Sequence, residues 1–208
     1  AALKGLVGTR VGLELSKDAA DFIRTHLDFP IYNDPIQEVS IAECPFDVVT
    51  SLQVLEHVPD PIDFIKHLGR QLKSDGYLYL ELPNLDDSLL SCYQISGYAD
   101  FYFREPHISY FTRDTLALAV KSADFVGTIK TVQRYNIMNH LNWNLTGKPQ
   151  DNFNMGNGTP KIVTAENVDV SLKSELNDFI EKVDDDYKKI IEKHGVGECL
   201  TFFGQLKK

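Results

Sequence analysis

An acid beside an imidazole, Glu56-His57, lies in the string Val54-Leu55-Glu56-His57-Val58-Pro59-Asp60-Pro61, directly after an apolar run that reads as a strand. A carboxylate can orient a proton and an imidazole can take one near neutral pH, so the pair suits general acid–base chemistry. A structural part is open to both as well, Glu56 as a helix cap and His57 as a hydrogen-bonded packing group. A second imidazole, His107, stands in Arg104-Glu105-Pro106-His107-Ile108-Ser109-Tyr110-Phe111-Thr112, just before a helix start, where capping or packing is the competing role. Glu14 closes the run Arg10-Val11-Gly12-Leu13-Glu14. In nucleotide-binding α/β folds an acid at such a strand end accepts hydrogen bonds from ribose hydroxyls. It reads equally as a surface carboxylate near a helix N-terminus.

These groups can act together only if strands and helices bring them to one edge. Residues 46–49 and 77–82 are short apolar runs separated by about one amphipathic helix, the spacing of a parallel β-α-β crossover. Pro61 suits the first turn of that helix, Asp60 its cap and Asp75-Gly76 its stop, with Ile62, Ile65, Leu68 and Leu72 on one face. Ligands of open parallel sheets bind beyond the carboxyl ends of the strands, so Glu56-His57 should face a crevice. Upstream, residues 1–8 read as the end of a helix closed by Gly8, residues 10–15 as a strand, and residues 18–27 as a helix capped by Ser16. Residues 29–32 form a further strand, and Asn33-Asp34-Pro35-Ile36 turns out of it.

Downstream, Tyr93, Tyr98, Phe101, Tyr102 and Phe103 make a dense aromatic group, either a packing segment or a wall that keeps water from a site. Thr112 with Thr115, or Asp114, starts a helix to Ala123. Residues 126–135 alternate as a strand with one wet face. Residues 136–160 break that pattern with Gly and Pro and read as an inserted loop. Residues 171–193 carry a helical stripe from Leu172 to Ile191 that suits core or a homodimer face, and residues 199–206 read as the last strand. The fold class is α/β: residues 1–135 and 195–208 form one domain, and residues 136–194 are an insertion before the final strand.

Composition narrows the partners. A net charge of −9 argues against nucleic acid, which draws on clustered Lys and Arg. Asp184-Asp185-Asp186 with Lys188-Lys189 reads as the wet face of a helix. Cys44, Cys92 and Cys199 show no paired spacing and no zinc signature, which suits free thiols in a reducing cytoplasm. No apolar run reaches the roughly 20 residues that span a bilayer, and no signal peptide is visible.

Phe46-Asp47-Val48-Val49, then Val54 to Pro61, then Lys73-Ser74-Asp75-Gly76 and Glu81-Leu82-Pro83-Asn84 resemble, in that order, the class I S-adenosylmethionine-dependent methyltransferases. His107, Tyr110-Phe111, Thr112 and Thr115-Leu116 are similar to the small-molecule and sugar branch of that family. The resemblance implies a Rossmann-like sheet, mostly parallel with an antiparallel edge pair, and S-adenosylmethionine as cofactor. By the same resemblance Glu14 holds the ribose, Asp34 receives the adenine amino group, Ile36 lies against the ring, and Ser51 and Gln53 approach the cofactor partly through backbone. His107 is then the general base, with Glu56 or His57 orienting or replacing it, and no metal is required. A weaker likeness over residues 134–149 points to a sugar or surface-polysaccharide precursor as the small-molecule acceptor.

The departure from the family lies at the start. Gly5, Gly8 and Gly12 lack a preceding strand and do not form the family's Gly-rich loop, so the first strand and the start of the first helix are missing and the chain reads as truncated. That strand belongs in mid-sheet, so a defective sheet and weakened cofactor binding are expected. A non-catalytic scaffold on the same fold is the competing reading. An oxidoreductase is disfavoured, since no Tyr-x-x-x-Lys spacing occurs.

Overall fold

A computed structural model describes residues 5–207. Two very short strands come first, β1 (Gly12–Leu13) and β2 (Ile31–Tyr32), paired parallel across the helix α1 (Lys17–His26). The Ser16 hydroxyl caps α1 by accepting from the Ala19 N–H. The strands expected over residues 10–15 and 29–32 shrink to two residues each. Pro30 has no N–H to extend the ladder and serves only as acceptor for Gly12. Residues 5–8 are turn and extended chain rather than a helix end, and the rest of that expected helix lies outside the described residues.

The central crossover forms as its pattern predicts. β3 (Phe46–Leu52) leads through a 3-10 turn, Leu55–His57, into α2 (Pro61–Arg70) and then β4 (Leu72–Pro83), which pairs parallel with β3. Pro61 occupies the first turn of α2, and the Asp60 carboxylate accepts the Asp63 N–H at 3.0 Å. The helix stops earlier than its apolar period suggests. Leu72 begins β4 instead of ending the helix face, and a register shift between Phe46 and Val48 absorbs the polar residues that follow it. Gly76 belongs in that shift because a Cβ there would stand 2.9 Å from the Phe46 carbonyl oxygen.

The remaining elements are α3 (Ser88–Ser91), α4 (Ser96–Tyr102), α5 (Arg113–Ser122), β5 (Phe125–Val132), α6 (Ile137–Thr146), α7 (Phe153–Asn157), α8 (Val170–Lys193) and β6 (Cys199–Leu206). Thr112 and Thr115 form the reciprocal cap of α5. The stretch expected as an inserted loop instead holds α6 and α7. The buried side of α6 is Asn139, His140 and Trp143, so no apolar period announces it. Its ends are conventional, with Asn136 accepting from Asn139 and Gly147 stopping it at φ 65°.

Strands β3, β4, β6 and β5 form one sheet in that order, with β6 antiparallel to both neighbours. The β1–β2 pair is a separate sheet. Among the described residues no strand pairs with the free edge of β3, and Val48 and Leu52 there are each 53% exposed. β4 is the centre of mass of the core: Leu78, Leu80 and Leu82 are fully buried against Ile65 and Leu68 of α2, Leu116 and Val120 of α5, and Leu200 and Phe202 of β6. Each such side chain contributes roughly 1.5–3 kcal/mol of burial free energy. A second cluster, Leu89, Tyr98, Tyr102 and Trp143, joins α3, α4 and α6. The apolar stripe of α8 is only half used, with Ile180 and Ile191 buried and Leu172, Phe179 and Ile190 exposed. Asp184, expected on its wet face, is buried, where it accepts the Ile137 N–H at 2.6 Å and pairs with Lys188 at 2.9 Å.

Candidate active site

β3 delivers the chain to its carboxyl end, and Gln53 turns it there with a left-handed φ of 55°, its N–H donating to the Glu81 carbonyl of β4 at 2.7 Å. The turn that follows buries Glu56, which is 2% exposed. The Glu56 main-chain carbonyl accepts from the N–H groups of Ile108 at 2.8 Å and Ser109 at 3.0 Å. The loop bearing His107 is therefore stapled directly onto Glu56. His57 Nδ1 lies 2.6 Å from the Pro106 carbonyl oxygen. A carbonyl only accepts, so the proton sits on Nδ1 and the lone pair on Nε2. That Nε2 is 3.8 Å from Glu56 Oε1, and the His57 and His107 rings meet edge-on at 4.9 Å. One ligating atom from each of Glu56, His57 and His107 falls within 4.8 Å of the others.

Two atoms of this group, Glu56 Oε2 and His107 Nδ1, are buried with no hydrogen-bond partner. Such atoms are destabilising until a ligand or a water satisfies them. Burial raises the Glu56 carboxyl above its ordinary range, against the opposing pull of its own backbone N–H, His57 and Arg104. Burial lowers the His107 imidazole, helped by the positive charge of Arg104 and by His57. His107 is thus held neutral at pH 7, the form that can accept a proton.

Tyr102 and Tyr110 pack at 5.6 Å, and Tyr110 lies 5.7 Å from the His107 ring, so these two tyrosines of the aromatic group stand beside His107. The Tyr102 hydroxyl is also buried without a partner. At the tip of β4, Glu81 is tied by Arg134, by Gln53 Nε2 at 3.3 Å and by the Tyr79 hydroxyl at 3.1 Å. Burial pushes its carboxyl up, but these partners, Arg134 foremost, hold it below the ordinary value. Sequence reading missed Arg134, Arg104 and the Pro106 carbonyl, because each acts through a partner far away in the chain.

The residues expected to hold cofactor are placed less uniformly. Glu14 Oε1 accepts the Ser16 N–H at 2.8 Å, its second oxygen has no hydrogen-bond partner among the described residues, and the Glu14 carbonyl accepts from Asn33 Nδ2 at 2.6 Å. Asp34 is exposed just beyond β2. Ser51 is buried at the end of β3 with its hydroxyl unpartnered, and Gln53 is exposed. Ile36 is different: it is 7% exposed and belongs to the main core, which leaves little of it for an adenine ring. No hydrogen bond or ion pair among the described residues joins Glu14 or Asp34 to the Glu56 group. A carboxylate at Glu14, an exposed acceptor at Asp34 and an orphaned hydroxyl at Ser51 are groups of the kind the adenosyl half of S-adenosylmethionine would pair with; the described residues contain no Gly-rich turn for its methionine half.

The profile of the family described as "Methyltransferase domain" matches residues 8–128, more than half of the chain. A ubiquinone biosynthesis O-methyltransferase of Glaesserella parasuis is 29% identical over 93 residues, covering 40% of this chain and 39% of that protein. The chain thus spans about two fifths of the length of the curated relatives it matches. Among solved structures, a SAM-dependent methyltransferase from Archaeoglobus fulgidus aligns at TM-score 0.53 and 14% identity, over 93% of this chain and 74% of that one. The plantazolicin methyltransferase BpumL, solved with a pentazolic desmethylPZN analog and SAH, aligns at TM-score 0.55 and 14% identity, over all of this chain and 70% of that one. At such identity these likenesses bear on the fold alone. The family match, together with the strand tips that carry its motifs, shows that this chain belongs to the class I S-adenosylmethionine-dependent methyltransferases.

Proposed function

We propose that the chain transfers a methyl group from S-adenosylmethionine to a hydroxyl of a small molecule, with His107 as the general base. The observation that carries this reading is the meeting of Glu56, His57 and His107, from two distant segments, two of them with a buried atom that has no partner. The name O-methyltransferase borne by the curated relatives supports a hydroxyl as acceptor. Within that class a sugar or surface-polysaccharide precursor is the acceptor we favour, on the likeness of residues 134–149.

The cofactor supplies an electrophilic methyl group on a sulfonium. Glu14, Asp34 and Ser51 would hold its adenosyl half, and Gln53 and the strand tip would approach it through backbone. Transfer is an in-line displacement, so most of the chain's part is to hold the acceptor oxygen in line and dry. Tyr102 and Tyr110 would form the dry side. His107 takes the hydroxyl proton as the new oxygen–carbon bond forms, and Glu56 stabilises the resulting imidazolium across the 4.8 Å group.

Calorimetry with S-adenosylmethionine, followed by turnover with a labelled methyl group and hydroxylated acceptors, tests the reading. His107→Ala should lower kcat by about 100-fold or more, with the dissociation constant for S-adenosylmethionine little changed. Equal loss of both would make His107 structural. The kcat profile should rise with pH through a value below the ordinary imidazole range, since the base must be neutral and its pKa is lowered. The interrupted sheet favours a second reading, a binding subunit that has kept the fold. Absence of heat with S-adenosylmethionine from a folded chain would select it.

A further inference from the structure

Among the described residues, three other than glycine have a left-handed backbone: Gln53, Gln94 and Asp124, at φ 55°, 54° and 62°. Gln94 and Asp124 follow closely on the helices α3 and α5, where such a residue commonly closes a helix. Gln53 instead follows strand β3 and stands between Ser51 and the turn that carries Glu56. A side chain at positive φ is disfavoured and persists only where its surroundings over-determine it. At Gln53 those surroundings form a clamp. The Gln53 N–H donates to the Glu81 carbonyl at 2.7 Å, and its Nε2 donates to Glu81 Oε1 at 3.3 Å and to the Cys199 sulfur at 3.5 Å. Both side-chain acceptors are held in turn by Arg134, which puts one guanidinium nitrogen on Glu81 Oε2 and the other 3.7 Å from Cys199 Sγ. The root of that arm is fixed as well, since the Arg134 N–H donates to Glu198 Oε1 at 3.2 Å. Glu81 is 6% exposed, so the same guanidinium compensates a buried carboxylate.

We propose that Arg134 is a positioning residue for the cofactor: acting through Glu81 and Cys199, it keeps Gln53 left-handed and so fixes the turn that leads from Ser51 to Glu56. The inference rests on the reading of Ser51 and Gln53 as contacts of S-adenosylmethionine. Arg134 plays this part through Gln53. Without the guanidinium, Glu81 is a buried carboxylate that has lost its cation, and the acceptors of Gln53 Nε2 are no longer held in place. Residue 53 is then free to relax toward negative φ, which releases its N–H from the Glu81 carbonyl and shifts the turn on which the cofactor would rest. Sequence spacing could not show this clamp, since Gln53, Glu81, Arg134 and Cys199 stand on or directly beyond four different strands.

Calorimetry with S-adenosylmethionine on the full chain and its variants tests the proposal. Arg134→Gln should weaken binding by about tenfold or more, and Arg134→Lys, which keeps a cation beside Glu81 but lacks the fork that reaches both acceptors, by less. The decisive protein carries Arg134→Gln together with Gln53→Gly. Glycine takes positive φ without steric cost, so it should restore affinity to within about threefold of the parent. A general structural defect at Arg134 would not be repaired by a glycine on another strand. If Arg134→Gln fails to fold, Arg134→Lys with and without Gln53→Gly carries the same comparison. Amide exchange gives a readout that needs no cofactor: in Arg134→Gln the Gln53 N–H should lose protection while the Leu80 N–H keeps it. Unchanged affinity in Arg134→Gln, or a loss that Gln53→Gly leaves unrepaired, overturns the role of Arg134 and leaves the cofactor reading standing. No heat from the folded parent overturns the cofactor reading itself, and this role with it.

Discussion

The sheet β3-β4-β6-β5 and the pair β1-β2 are built from similar residues and behave as different materials. In the first, β4 is paired along both edges and its Leu78, Leu80 and Leu82 are fully buried against helices α2 and α5. In the second, two residues pair with two, and Leu13 and Leu15 stay 37% and 62% exposed. A parallel strand is stabilised by neighbours on both edges and cover on both faces, and the short pair has one neighbour and little cover. The acid–imidazole group grows out of the first region and Glu14 out of the second. The proposed proton-transfer group is thus mounted on the larger sheet, whereas the proposed ribose contact stands on a marginal ladder.

The largest effect should come from breaking that asymmetry at its strong end. Leu80→Ala, at a fully buried position in β4, should cost about 3 kcal/mol and lower Tm by roughly 10 °C. Leu15→Ala should stay within about 0.5 kcal/mol. Thermal melts of the two variants settle it, and comparable losses would mean that the β1–β2 pair is packed as firmly as the main sheet. Amide exchange offers a second measure, since the Leu80 N–H should be protected up to global unfolding and the Glu14 N–H should exchange sooner.

A smaller effect lies inside the rigid region. Asp87 caps α3, accepting the Leu89 N–H and the Tyr98 hydroxyl, each at 2.7 Å, while only 1% exposed. Burial pushes its carboxyl up to about 6. The folded state therefore holds this proton more tightly than the unfolded chain, whose carboxyl titrates at its ordinary value near 3.8. Its effect on stability is nil below the unfolded pKa, and stability falls as pH rises through that window toward 6. Asp87→Asn keeps the size and the cap and removes the ionisation. It should gain about 1–2 kcal/mol at pH 8, less than the full two-unit shift allows because the amide pairs less well, and little at pH 4. Denaturant titrations at the two pH values would reject this if the variant and the parent shifted in parallel.

Legibility in the sequence follows the same division. The β-α-β crossover is readable because its pattern is local: Asp60-Pro61 starts α2, and the apolar run of residues 77–82 marks the end of β4. The position of Leu72 was misread because a helical period continues across the boundary, and only pairing with Phe46 assigns it to the strand. α6 was hidden by its polar buried face, with His140 between Tyr187 and Gln133 at 2.6 and 3.0 Å. Glu56, His57 and His107 could each be named from motif order, but their convergence depends on the Glu56 carbonyl meeting two N–H groups in a distant loop, which no spacing encodes. Ile36 could be placed after a strand but not on the core side of the turn.

The smallest effect probes the weak region at its functional end. Glu14→Gln keeps the main-chain bonds to Tyr32 and Asn33 and the acceptor for Ser16, and removes only the charge. If the free carboxylate oxygen receives a ribose hydroxyl, losing the charge-assisted part of that bond should weaken S-adenosylmethionine binding by about three- to tenfold, near 1 kcal/mol, with melting unchanged. Calorimetry on the variant decides it. An unaltered affinity would confine cofactor contacts to the β3 side, at Ser51 and Gln53, and would make the β1–β2 pair a cover for α1 rather than part of the site. A loss of affinity accompanied by a lower Tm would instead mean that the Ser16 cap depends on the charge, and the defect would then be structural.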